Sequence, residues 1–186
     1  SQETLKAREE ELRSRYEAAS TVGLSLDMTR GKPAPEQLDL ANPLLALPGA
    51  GQFSDQDNTD CRNYGGIDGL PAMKQLFAEI LGCQRDAVIV GGNSSLTMMH
   101  DAIARAVLFG VPGSDKPWGQ QGTIRFLCPA PGYDRHFEIT SHLGFELVNV
   151  EMNDDGPDMD HVEALAADPA VKGIWCVPRY SNPTGI

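Results

Sequence analysis

The run Val88-Ile89-Val90-Gly91-Gly92-Asn93-Ser94-Ser95-Leu96 carries the residue types that can hold an anion. A β-branched stretch runs into two glycines, and then Asn93, Ser94 and Ser95 open a helical pattern. Free backbone N–H groups and the helix dipole make such a terminus attractive to phosphate. The glycines allow close approach of the backbone, and the short hydroxyls add hydrogen bonds. The Gly-x-Gly-x-x-Gly spacing of dinucleotide sites is absent, and no Gly-Lys-Ser/Thr follows. Taken alone, the run reads first as a helix capped by Asn93 or Ser94.

Four further segments carry comparable potential. In Cys128-Pro129-Ala130-Pro131-Gly132-Tyr133-Asp134-Arg135-His136-Phe137, prolines and a glycine force a turn that projects Tyr133, whose ring could stack on a flat ligand. By itself this reads as a turn entering an amphipathic helix. In Val177-Pro178-Arg179-Tyr180-Ser181-Asn182-Pro183-Thr184-Gly185-Ile186, Pro183 restricts Asn182 and so aims an amide that can donate to a ring hydroxyl or phenolate oxygen. An ordinary Asn-Pro turn explains it equally well. Thr29-Arg30-Gly31-Lys32-Pro33 sets a close-approach glycine between two bases, which suits a carboxylate or a solvated turn. Asn63-Tyr64-Gly65-Gly66-Ile67-Asp68-Gly69 is a glycine-rich turn carrying Tyr64 into a helix.

The elements that must position these residues follow from periodicity. Gln2 to Ala19 reads as a peripheral helix with a sparse apolar face of Leu5, Leu12 and Tyr16. From Thr21 to Asp60, Pro33, Pro35, Pro43, Pro48, Gly31, Gly49 and Gly51 predict an extended, loop-rich arm. That arm holds too many leucines (Leu38, Leu40, Leu44, Leu45, Leu47) to be a solvated tether. Helices are predicted over Gly69–Leu81, Ser94–Phe109, Gly132–Leu143 and Met159–Ala167, and strands over Ala87–Val90, Thr123–Cys128, Phe145–Val150 and Gly173–Val177. Strands alternating with helices predict an α/β fold with a mostly parallel sheet, and ligands of such sheets bind beyond the carboxyl ends of the strands. The domain organisation expected is an N-terminal helix and arm over 1–60 and the first part of a larger domain over 61–186. A parallel sheet that stopped at Ile186 would lack covering partners, so the expectation is the first part of a longer protein.

Composition narrows the function. The 186 residues carry 26 acidic and 15 basic side chains, a net charge of −11, which argues against a nucleic-acid surface and against anionic membranes. No apolar run approaches the roughly 20 residues that span a bilayer. Cys61, Cys83, Cys128 and Cys176 form no Cys-x-x-Cys pair; Cys128 and Cys176 are expected as small core residues, and the usage suggests the cytoplasm. No metal site is expected. His100, His136, His142 and His161 lack ligand spacing, and Asn153-Asp154-Asp155-Gly156 matches a calcium loop only in part, with Val162 at the bidentate position.

The ordered set Thr29–Pro33, Asn63–Gly69, Gly91–Leu96, Tyr133 and Tyr180–Gly185 resembles the class I/II pyridoxal-phosphate-dependent aminotransferases of fold type I, in particular their aspartate-aminotransferase-like subgroup. The resemblance extends over essentially the whole chain. It implies a three-layer α/β/α domain, incomplete here, and pyridoxal 5′-phosphate as cofactor. Gly92, Asn93, Ser94 and Ser95 would then cradle the cofactor phosphate, Tyr133 would stack on the pyridine ring, and Asn182 would hydrogen-bond the 3-hydroxyl oxygen. Tyr64 would reach the phosphate of a neighbouring subunit, implying a homodimer. Gly31, with Lys32 nearby, would lie against the substrate carboxylate.

The same resemblance implies amino transfer between an amino acid and a 2-oxo acid, with aspartate and 2-oxoglutarate as the expected pair. The family's Schiff-base lysine, its pyridine-nitrogen aspartate and its carboxylate-binding arginine match nothing in this sequence. Lys6, Lys32, Lys74, Lys116 and Lys172 stand elsewhere, so no catalytic residue is assigned. Two alternatives remain at this stage: a lyase or decarboxylase on the same scaffold, and a non-catalytic domain that binds a phosphorylated ligand.

Overall fold

The structure is a computed structural model that describes residues 1–186 except Met28, Arg30, Pro48 and Ala50. Arg30 and Pro48, which entered the sequence reading, therefore lie outside the described residues. The chain divides into two compact units, Ser1–Tyr64 and Gly65–Ile186.

In the first unit, α1 (Gln2–Thr21) starts at Ser1, whose hydroxyl accepts the Thr4 N–H at 3.2 Å. Its surface carries Arg8–Glu11 and Arg13–Glu9 ion pairs one turn apart, and none of its residues is buried. The predicted apolar face of Leu5, Leu12 and Tyr16 is exposed. The arm contains two short helical pieces that the loop reading did not anticipate, α2 (Pro35–Asp39) and a 3-10 turn over Asn42–Ala46. Each has a proline at its start, where the fixed φ suits a first turn and the missing N–H has no partner to lose. The arm's leucines, Leu38, Leu40, Leu44, Leu45 and Leu47, are exposed. Further on, Ser54 and Asp60 pair in an isolated antiparallel bridge. Arg62 grips Asp60 through Nη2 at 2.6 Å and lies over the Phe53 ring at 4.1 Å.

The second unit begins with α3 (Pro71–Leu81), opened by Pro71 and closed by the left-handed Gly82 (φ 67°). Then come α4 (Ser95–Phe109), β1 (Arg125–Ala130), α5 (Asp134–His142), β2 (Glu146–Asn153), β3 (Gly156–Pro157), α6 (Met159–Ala166) and β4 (Val171–Ile174). The sheet order is β3-β2-β1-β4. β1 pairs in parallel with β2 and with β4, whereas the two-residue β3 returns antiparallel on β2. The predicted α/β class and mostly parallel sheet are therefore found. β1 is central, and Phe126, Leu127, Cys128 and Pro129 are all buried, as expected for a strand covered on both faces.

The core joins Ile103 and Ala106 of α4 to Trp118, Ile124, Phe126 and Phe145, with Val107, Ile139, Leu143 and Trp175 packed around them. Trp118 and Phe126 each sit 6.2 Å from the Phe145 ring, and Phe126 is 4.9 Å from Trp175. At the amino end of β1, Arg125 bonds Glu146 of β2 at 3.0 Å and Asp168 ahead of β4 at 2.6 Å. Both carboxylates hold the guanidinium above its ordinary value, Glu146 first.

Two expectations need correction. Ala87–Val90 is not a strand: Arg85–Ala87 forms a 3-10 turn, and Val88 is extended but joins no ladder among the described residues. A β-branched run becomes a strand only where another strand supplies hydrogen bonds. Here the Val90 N–H goes to the Asp68 carbonyl at 2.8 Å instead. Cys176 is exposed rather than in the core, because β4 ends at Ile174 and the predicted strand over Gly173–Val177 has already left the sheet; Cys128 is buried as expected. Among the described residues no helix is long and apolar enough to cross a membrane.

Candidate functional site: an anion cradle and an aromatic wall

The cradle forms where the extended segment after Val88 meets α4. Ser94 is the N-cap: its Oγ accepts the Thr97 N–H at 3.4 Å and lies 2.9 Å from the Thr97 hydroxyl. Gly92, Asn93, Ser94 and Ser95 are exposed, and open space surrounds the place where a Cβ on Gly92 would stand. Gly91 is tightly packed, since a Cβ there would meet Met98 Cε at 2.7 Å. The first turn of α4 holds no acidic residue, as is also true of α3, whereas Glu3, Asp134 and Asp160 occupy the first turns of α1, α5 and α6. Uncharged hydroxyls and free N–H groups at a dipole's positive end, with no carboxylate beside them, form a donor set suited to a phosphate.

The glycine-rich turn before α3 braces this segment. Gly69, at φ 109°, lies so close to Val90 that a Cβ would come within 2.6 Å of the valine Cβ. Asp68 receives the Val90 N–H on its carbonyl and pairs its carboxylate with Lys74 of α3. The lysine hydrogen bond holds the Asp68 carboxyl below the usual range.

Tyr133 leaves β1 through Pro131 and Gly132. A side chain at Gly132 would collide with the Pro129 carbonyl oxygen and with Phe137 Cζ, so only glycine allows this turn. Tyr133 occupies the N-cap position of α5 and is half-buried. Its ring meets His136 at 4.9 Å and 89°, and His136 in turn lies 5.8 Å from Trp175. Burial pushes the His136 imidazole below its ordinary value, favouring the neutral ring. The Trp175 Nε1–H donates to Thr140 Oγ1 at 3.1 Å, and the Thr140 hydroxyl donates to the Phe137 carbonyl at 3.1 Å.

β4 lies beside β1, so the segment after β4 emerges next to the Tyr133 turn. It closes on itself through Ser181 N–H to the Ile186 carbonyl at 2.7 Å and Gly185 N–H to the Ser181 carbonyl at 2.5 Å. Ser181 is buried and Asn182 is exposed. Tyr180 takes a left-handed φ of 58°, a strained conformation for a non-glycine residue. A cavity of about 260 Å³ lies at these strand ends, walled by Tyr133, His136, Trp175, Cys176, Ser181 and Met152 among others.

Of the predicted site residues, Gly92, Asn93, Ser94 and Ser95 are consecutive and exposed at the head of α4, and α4 packs against α5, the helix that Tyr133 opens. Tyr133 faces the cavity together with Ser181; Ser94 and Asn182 do not line it. Gly31, Lys32 and Tyr64 belong to the first unit and are exposed there, Tyr64 almost completely at 98%. The sequence reading did not single out His136 or Trp175 for the site. A signal for His136 was present: it stands three residues after Tyr133, a spacing that puts both on one face of a helix. Trp175 carried no such local signal.

The aspartate amino-transferase family model matches residues 1–186. An aspartate aminotransferase of Corynebacterium glutamicum is 50% identical over 176 residues, covering 95% of this chain and 41% of that protein. The crystal structure of an aspartate transaminase from the same species superposes with a TM-score of 0.86 at 48% identity, over 97% of this chain and 43% of the other. An α-aminoadipate aminotransferase from Thermus thermophilus, solved with N-(5′-phosphopyridoxyl)-L-leucine, shares the fold at a TM-score of 0.56 and 20% identity, over 84% of this chain and 36% of its own. The chain thus spans about two fifths of the length of the curated relative. With its whole length inside one family pattern and its fold superposing on a half-identical structure, the chain belongs to the aspartate aminotransferase family.

Proposed function

We propose that the protein is a pyridoxal-phosphate-dependent aminotransferase that exchanges an amino group between aspartate and 2-oxoglutarate. The observation that carries this reading is the head of α4: a serine cap, an open glycine and a first turn without acids, in a family of aminotransferases. The phosphopyridoxyl ligand of the distant Thermus relative supports the choice of cofactor. Bound pyridoxal phosphate would supply an electron sink for negative charge at the substrate's α-carbon.

This chain's residues would bind and orient. Backbone N–H groups and hydroxyls of Gly92, Asn93, Ser94 and Ser95 hold the phosphate at the positive end of α4. The Tyr133 ring would stack on the pyridine ring. The Asn182 amide would donate to the ring oxygen and favour its anionic form. Gly31 gives the substrate carboxylate close access to the backbone, with Lys32 nearby as a counter-charge. Tyr64 serves the phosphate of a second subunit in a homodimer. The acidic surface and unpaired cysteines support a cytoplasmic setting.

The test uses the full-length protein. Purified material should be yellow, lose its visible band on borohydride reduction, and transfer the amino group of aspartate to 2-oxoglutarate. Release of carbon dioxide or ammonia instead would indicate a decarboxylase or lyase. Absence of any visible band after loading with pyridoxal phosphate would defeat the reading.

A further inference from the structure

Gly65, Gly66 and Gly69 leave the turn ahead of α3 with little rigidity of its own. One side chain ties it down. Lys74 stands at the end of the first turn of α3, its N–H bonded to the Leu70 carbonyl at 2.9 Å, and its ammonium pairs with the Asp68 carboxylate. The lysine side chain is only 11% exposed. A cation so near the positive end of a helix and so far from water needs an anion, and Asp68 supplies it. The carbonyl of the same Asp68 accepts the Val90 N–H at 2.8 Å, and Gly69 packs against the Val90 side chain. Val90 stands two residues ahead of Gly92, where the cradle begins, and Gly91 between them is packed against Met98 of α4. Contacts thus run from α3 through Lys74, Asp68 and Val90 to the head of α4.

We propose that Lys74 is a positioning residue for the phosphate cradle: its ammonium holds Asp68 and Asp68 holds Val90, so that Gly92, Asn93, Ser94 and Ser95 meet the phosphate in one fixed arrangement. This rests on the cofactor reading above and adds a residue that acts through the backbone of Val90. Donors bind an anion well only while they are aimed at it, because a hydrogen bond weakens steeply as its angle closes. Without the ammonium, the Asp68 carboxylate turns to water, its carbonyl is no longer held against Val90, and the segment entering α4 gains freedom. Ser94 keeps its cap on Thr97, so α4 itself stays formed.

The experiment compares Lys74→Met, Lys74→Arg and Asp68→Asn in the full-length protein. Met keeps an apolar stem without the charge, and Arg restores the charge. Amide hydrogen exchange without cofactor follows the Val90 N–H. The control is the Cys83 N–H at the far end of α3, which bonds the Ala78 carbonyl at 3.0 Å. Titrations with pyridoxal phosphate and with pyridoxal, which lacks the phosphate, report on the cradle. We expect Val90 to exchange about 10-fold faster in Lys74→Met, with Cys83 at its wild-type rate. Affinity for pyridoxal phosphate should fall about 10-fold, the worth of one charge-assisted hydrogen bond, while affinity for pyridoxal is unchanged. Lys74→Arg should restore both, and Asp68→Asn should lie between.

Wild-type protection of Val90 in Lys74→Met overturns the proposal. So does an equal loss of affinity for both ligands, the mark of a general loosening, and so does equally faster exchange at Cys83, which would confine the lysine's role to α3. If Lys74→Met does not fold, Asp68→Asn decides, since it keeps the backbone carbonyl and a neutral acceptor; unchanged Val90 exchange and cofactor affinity there overturn the proposal. A wild-type protein that takes up neither ligand removes the cofactor reading itself, an outcome distinct from all of these, and the Val90 exchange rates then decide the clamp alone.

Discussion

Gly173 of β4 lies against the tip of the Phe126 ring in β1, so close that a Cβ on it would fall 2.6 Å from Cζ and 2.7 Å from Cε2. The two strands are paired in register here, Phe126 opposite Gly173. Phe126 is buried among Ile103, Ala106, Trp118 and Phe145, so the ring has no direction in which to withdraw. Gly173→Ala should destabilise the protein by about 1–3 kcal/mol through overpacking. Denaturant unfolding of the variant checks this, and a loss below a few tenths of that range would mean the ring is free to move.

Ser94 allows the two roles of the α4 terminus to be separated. Ser94→Ala removes a cap and should cost about 1 kcal/mol of stability, together with a phosphate donor. Ser94→Asp keeps a good capping acceptor but sets a carboxylate where the phosphate would lie. The Asp variant should therefore unfold near wild type yet bind pyridoxal phosphate far more weakly than the Ala variant. Thermal melts beside cofactor titrations read both effects. Equal affinities for Ala and Asp would place the phosphate elsewhere.

Asp60 provides a pH dependence with a definite sign. The Arg62 hydrogen bond holds its carboxyl down at about 2, below the ordinary 3.8. A depressed carboxylate stabilises the folded state above its unfolded value and loses that contribution as pH falls through its folded value. The contribution of this turn should thus be complete above about pH 5 and be lost progressively as pH falls through 3.8 to about 2. Carboxyl carbon chemical shifts should titrate with a midpoint near 2, returning toward 3.8 in Arg62→Ala. An unchanged midpoint in that variant would show that the guanidinium is not the cause.

The cysteines should divide by burial. Cys128 lies inside β1, and burial pushes its thiol up to about 11, so little thiolate forms near neutrality. Cys61, Cys83 and Cys176 are exposed. Brief treatment with iodoacetamide at pH 8, followed by peptide mass spectrometry, should label those three and spare Cys128 until denaturant is added. Protection of Cys176 equal to that of Cys128 would contradict its place beyond the end of β4.

How much could be read ahead of the fold depended on whether a residue's partners were local. The helix over Pro71–Leu81, the alternation of strands and helices, and the serine cap of α4 all depend on neighbours within a few positions, and periodicity and turn residues reveal such neighbours. The candidate site motifs stand out for the same reason: Gly91–Ser95, Tyr133 and Asn182 each sit in short, strongly patterned turns. Ala87–Val90 was misread because a strand is completed by hydrogen bonds from a distant segment, and β propensity does not say whether that segment is there.

The amino-acid order alone determined the α/β class, the family pattern and the small, hydroxyl-rich and aromatic turns that make up the candidate site, since each is written in local spacing. Only the tertiary structure decided that Trp175, 35 residues from Thr140, is anchored by it and stands behind His136 and Tyr133. The same holds for Gly173, which packs against the tip of the Phe126 ring, and for Arg125, which ties Glu146 to Asp168. Those contacts join segments far apart in the chain, and they exist only once the parallel pairing of β1 with β2 and β4 has brought the segments side by side.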